Sequence, residues 1–96
     1  MINNKSRDAG YQLPENDLDS WGWTLVGHEQ ISEALEVFKL NVNLFPRSGN
    51  ACDSYGWALE ETGRTAEAIK IFKRALELNP GDNYAIGHLK HLGQLK

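Results

Sequence analysis

The chain repeats itself with a period of 34 residues. Glu15–Ser48 laid on Gly49–Asp82 without a gap gives twelve identities, among them Asn16/Asn50, Asp19/Asp53, Ser20/Ser54, Gly22/Gly56, Trp23/Trp57, Leu25/Leu59, Ala34/Ala68, Phe38/Phe72 and Pro46/Pro80. Apolar-for-apolar exchanges at Leu18/Cys52, Trp21/Tyr55, Leu35/Ile69, Val37/Ile71 and Val42/Leu76 extend the match. A period of this length means that each unit is one supersecondary element. Such a unit cannot bury its apolar face alone, so its neighbours must stack on it.

Within each unit the pattern is helix, tight turn, helix, stop. Leu18, Trp21, Gly22 and Leu25 fall at i, i+3, i+4 and i+7, the spacing of one helical face. Asn16, Asp19, Ser20 and Trp23 form a second, polar face with the same spacing. The reading is all-α, with helices over 16–27, 30–44, 50–61, 65–78 and 83–93 and no strand. Gly27–His28 and Gly63 are the expected turns, and Pro46 and Pro80 end the second helix of each unit, because the residue before a proline is pushed out of the α region. Thr65 is the expected N-cap of the fourth helix, and Lys73 and Arg74 are expected near its end, where cations suit the dipole. Trp21 is expected in the core. The fifth helix turns Ile86 and Leu89 inward, with Leu92 nearby and His88, Lys90 and His91 on a polar outer side, as a terminal cap requires.

The spacing of Gly22, Leu25, Ala34, Phe38 and Pro46, repeated in register at Gly56, Leu59, Ala68, Phe72 and Pro80, resembles the tetratricopeptide repeat (TPR) family. The resemblance implies a TPR-like α-α superhelix. Its parts are an arm at 1–14, units at 15–48 and 49–82, and a capping helix and tail at 83–96. The arm has no apolar period and is expected to be flexible, with Ile2, Tyr11 and Leu13 as its sizeable apolar groups. A narrower likeness lies in residues 38–59. There Asn41, Pro46, Ser48, Asn50, Asp53, Ser54 and Gly56 are similar to the TPR tail of bacterial serine hydrolases of the esterase and class C β-lactamase-like kinds. That likeness implies an accessory domain packed on a catalytic domain elsewhere in a parent chain.

Composition excludes several functions. No basic stripe accompanies the net charge of −3, so nucleic acid is not an expected partner. No apolar run approaches the ~18 residues of a membrane span, and no targeting segment is evident, which leaves the compartment open. A single cysteine, Cys52, excludes an internal disulfide and aligns with Leu18 as a small core residue. His88 and His91 share a helix face, but a structural metal needs about four ligands, so both read as solvated surface groups, with no metal or cofactor. No nucleophile elbow or phosphate-binding glycine loop is present, and an enzyme is not expected.

The doubled motif Asn-x-x-Asp-Ser-x-x-Trp remains: Asn16, Asp19, Ser20 and Trp23, then Asn50, Asp53, Ser54 and Trp57. In TPR proteins this face lines the concave groove that holds a partner, and transfer by position adds Tyr84, His88 and His91. The resemblance thus implies a protein-interaction module whose partner is a protein or peptide. The bland alternative is that the aspartates and serines pair locally while the tryptophans pad adjacent helices. Self-association of open Trp-lined faces is a further possibility, since about three repeats are needed for stability. A known TPR mode clamps acidic C-terminal tails with lysine, arginine and asparagine. This face has no lysine or arginine, and Asp19, with Asp53 as its repeat partner, stands where that clamp begins with lysine. The expected ligand is therefore a basic and apolar segment.

Overall fold

The computed structural model describes residues 15–94. The arm at 1–14 and the side chain of Asn16 lie outside the described residues. Five helices follow one another: α1 (Glu15–Gly27), α2 (Ile31–Leu44), α3 (Gly49–Glu61), α4 (Thr65–Leu78) and α5 (Asn83–His91). Among the described residues there is no strand, and the fold is an all-α, TPR-like helical repeat. Each helix packs on the next, and α3 also touches α1 across the stack.

Paired glycine and phenylalanine set the helix spacing. A Cβ on Gly56 would lie 2.8 Å from the Phe72 ring, and one on Gly22 would overlap the Phe38 ring. Missing side chains on α1 and α3 thus let the fully buried rings of α2 and α4 approach the backbone. Ala34, Cys52, Ala58, Leu59, Ala68, Ala75, Ala85 and Leu89 complete the buried core around them. Full burial of a phenylalanine removes its apolar surface from water at ~25 cal/mol per Å². The two rings are therefore the largest single apolar contributions.

The turns differ in detail from the sequence expectation. Gly27 is still helical, and the reversal after α1 is made by His28–Gln30, with Glu29 at φ +61°. The matching position after α3 is Gly63, at φ +83°. Thr65 is the first residue of α4 and not its cap. Arg64 holds the cap position and makes no side-chain capping bond there. Ser48 and Asp82, one period apart, are true N-caps. The Ser48 hydroxyl accepts from the Ala51 N–H at 3.0 Å, and the Asp82 carboxylate accepts from the Ala85 N–H at 3.2 Å. Lys73 and Arg74 precede the last turn of α4, which carries no basic residue. Arg74 instead donates to the Pro46 carbonyl oxygen at 3.4 Å, reaching back to the preceding hairpin. α5 stops at His91, and Leu92 and Gly93 close it, the glycine at φ +79°.

The larger correction is Trp21, which is 51% exposed. Its repeat partner Tyr55 is buried because α2 packs on that side of α3, and nothing among the described residues stands there for α1. Asn41, fully buried where the second unit has Ala75, is a polar core residue. No helix of the described residues is long and apolar enough to cross a membrane.

Candidate functional site

The polar face of α1 and α3 is tied together across the stack. Ser54 on α3 donates its hydroxyl to the Asp19 carboxylate on α1 at 2.6 Å, and the Trp23 indole N–H donates to the Ser54 oxygen at 3.1 Å. Trp23 rests against Trp57 at 4.8 Å between ring centroids and against Phe38 at 5.2 Å, both tilted, within the range of favourable aromatic pairs. Apart from Phe38, each residue of this cluster comes from the repeated motif, so one copy of the motif binds the next. Trp23 keeps an edge in solvent at 36% exposure, with Ser20 and Asn50 exposed and Trp57 half-buried on the same two helices.

A second cluster joins α3 to α5. The His88 ring lies nearly flat on Phe72, 4.8 Å between centroids at 17°. Its Nδ1–H donates to Glu60 at 2.8 Å, since a carboxylate can only accept. Tyr84 tilts against His88 at 4.5 Å. His88 is therefore a half-buried packing residue and not the solvated histidine the sequence suggested, whereas His91 is exposed. Glu60, Asn83, Tyr84, Gly87, His88 and His91 line a cavity of about 440 Å³ here. Among the described residues no three His, Cys, Asp or Glu side chains converge as a metal site would need.

Electrostatics change the role of Asp53. Burial, and then a hydrogen bond to Asp82 and its charge, push the Asp53 carboxyl up to about 8. At neutral pH it is thus a protonated donor facing the carboxylate that caps α5, and not the free groove anion that its alignment with Asp19 suggested. Tyr84 is pushed up to about 12 by burial and by the nearby Asp53, Glu60, Glu61 and Asp82. Burial likewise raises the Cys52 thiol, which leaves it protonated and inert.

Of the expected site residues, Asp19, Ser54 and Asp53 are engaged with protein partners, Trp23 is engaged yet partly open, and Ser20, Asn50, Tyr84 and His91 offer surface. Sequence reasoning missed Glu60 and Asp82. Asp82 sits one period after the N-cap serine Ser48, a signal that was available. Glu60 aligns with Val26 and carried none.

Residues 49–82 match the tetratricopeptide repeat. No curated protein matches the chain. The TPR match covers α3, α4 and the turn that leads to α5, and its 34 residues are one full period of the chain. TPR units generally serve protein–protein interaction, and the family is in general non-catalytic. The match is to the repeat itself and does not support the link to serine hydrolase tails expected from residues 38–59.

Proposed function

We propose that this domain holds a segment of a partner protein along the face shared by α1, α3 and α5. The observation that carries this reading is the Trp23–Trp57 pair, cross-braced by Asp19 and Ser54 yet open at the Trp23 edge. A braced aromatic loses little conformational freedom on binding, which is how rigid anchors contribute affinity. Ser20 and Asn50 flank it as hydrogen-bonding groups, and Tyr84 and His91 extend the row at α5. Asp19, Asp53 and Ser54 act as braces, and Asp19 alone of the three brings a carboxylate to this face at neutral pH. Asn16 belongs to the same row by its place in the motif.

The ligand favoured is a segment with lysine or arginine next to an apolar residue. No lysine or arginine stands among the motif positions, so an acidic tail brought to this face meets the Asp19 carboxylate with no compensating cation. A cationic side chain can instead lie over Trp23 or Trp57. The test is a titration of two peptides, one acidic at its C-terminus and one basic and apolar, followed by tryptophan fluorescence at low and high salt. The basic peptide binds saturably and weakens with salt, because exposed charges are screened over ~10 Å at 0.1 M. Saturable binding of the acidic peptide alone would overturn the reading.

A further inference from the structure

Gly22, Gly56 and Gly87 stand inside helices rather than at their ends. The Phe38 and Phe72 rings account for the first two, because a Cβ there would strike them. Gly87 has no such reason. A Cβ on it would meet nothing within 4 Å. Glycine is among the poorest helix formers, and α5 is only 9 residues long. The repeat does not ask for glycine at this place either, since Gly87 aligns with Asp53. What the missing side chain leaves is room. Gly87 lines the cavity of about 440 Å³ between α3 and α5, a size within the ~300–1,000 Å³ of ordinary ligand pockets.

The walls of this cavity have a definite chemistry. Tyr84, 42% exposed, is an aromatic wall held against His88 at 4.5 Å and backed by Phe72. Glu60 comes from α3, and its side chain is 17% exposed. The bond from His88 uses its Oε1, and the second carboxylate oxygen remains an acceptor. No lysine or arginine lines the cavity. Besides burial, Asp53, Glu60, Glu61 and Asp82 hold the Tyr84 proton in place, so the field at this wall is negative even with Asp53 protonated.

We propose that this cavity receives one arginine side chain of the partner segment, its guanidinium stacked on Tyr84 and donating to Glu60. The inference rests on the reading of the α1, α3 and α5 face as the binding face. It adds which side chain that face selects, and it places the cation at α5 rather than over a tryptophan. Charge complementarity chooses this occupant. A guanidinium is planar and weakly hydrated, so it can stack on a ring and donate in its plane at once. Its hydrogen bond to a carboxylate is charge-assisted on both sides. An apolar side chain here would cover the Glu60 oxygen and leave it unpaired. An acidic side chain would meet Glu60 as a like charge. Gly87 then has a purpose, which is to keep the space for the guanidinium stem open.

The test titrates three peptides into the isotope-labelled full chain. One is basic and apolar with a single arginine. Its twins carry citrulline, which keeps the shape and loses the charge, or glutamate at that position. The arginine peptide should shift the amides of Glu60, Tyr84, Gly87 and His88. Citrulline should weaken binding roughly tenfold, the scale of one hydrogen bond between charged groups. Glu60→Gln, whose amide oxygen can still accept from His88, should remove most of that difference. Gly87→Leu fills the cavity from a backbone position with open space around it, and should do the same while circular dichroism and melting show the helices intact. An arginine peptide that shifts Trp23 and Trp57 but leaves the α5 amides unmoved would overturn this inference and spare the wider reading. So would an arginine-to-citrulline loss that is unchanged in both variants. Stronger α5 shifts from the glutamate twin would assign the cavity to an anion. Absence of saturable binding by the arginine peptide would overturn the wider reading, and this one with it.

Discussion

Glu29 carries a backbone strain that its repeat partner avoids. A non-glycine residue in the left-handed region costs roughly 1–2 kcal/mol, and Gly63 makes the equivalent turn at φ +83° without that cost. Glu29→Gly should therefore raise stability by about 0.5–1 kcal/mol in urea unfolding, after the glycine's extra unfolded-state entropy is subtracted. The opposite sign is expected at Gly56. Its missing Cβ would sit 2.8 Å from the buried Phe72 ring, and overpacking typically costs ~1–3 kcal/mol. Alanine's better helix propensity returns up to ~1 kcal/mol, so Gly56→Ala should remain destabilising. The turn shows why the first of these was hard to read. A glycine at Gly27 beside His28 draws the expected turn to that pair, yet alignment of Glu29 with Gly63 marks the residue that reverses the chain. The exposure of Trp21 is hidden from the sequence for another reason. Periodicity identifies which residues share a face, but not whether a neighbour exists to cover it.

At the scale of elements, α5 is joined to α3 by two polar links, Asp53 with Asp82 and Glu60 with His88. Asp53 has a folded value of about 8 against an ordinary 3.8, so the native state holds this proton more tightly than the unfolded chain does. The stabilisation is fully present below about pH 4. It declines as pH rises from there to about 8, where the second carboxylate forms beside Asp82. Thermal melts at pH 5, 7 and 9 should show a falling midpoint. Asp53→Asn, which keeps a donor towards Asp82, should flatten that dependence. Asp82→Ala removes the α5 cap and should cost about 0.5–2 kcal/mol. The five helices themselves were legible from the 34-residue period and the two prolines, with boundaries displaced by one or two residues. The Asp53–Asp82 pair was not, because the first unit has Ser48 at the equivalent of Asp82 and therefore no such pair to repeat.

The whole molecule is a short stack in which each copy of one motif braces the next, and its stability should be shared along that stack. Removal of residues 83–96 would strip Phe72 of its His88 and Tyr84 neighbours, and a large fall in melting temperature or aggregation is expected. The braces also place the candidate site. Asp19, Ser54 and Trp23 hold α1 to α3, so the open aromatic edge has a fixed position. The most direct measurement is amide-shift mapping of the isotope-labelled chain during titration with the basic and apolar peptide. The account predicts perturbations at Ser20, Trp23, Asn50, Trp57, Tyr84 and His91, with little change around Lys39 and Lys73 on the exposed sides of α2 and α4. Perturbations confined to α2 and α4, with the tryptophan pair unmoved at saturation, would contradict it.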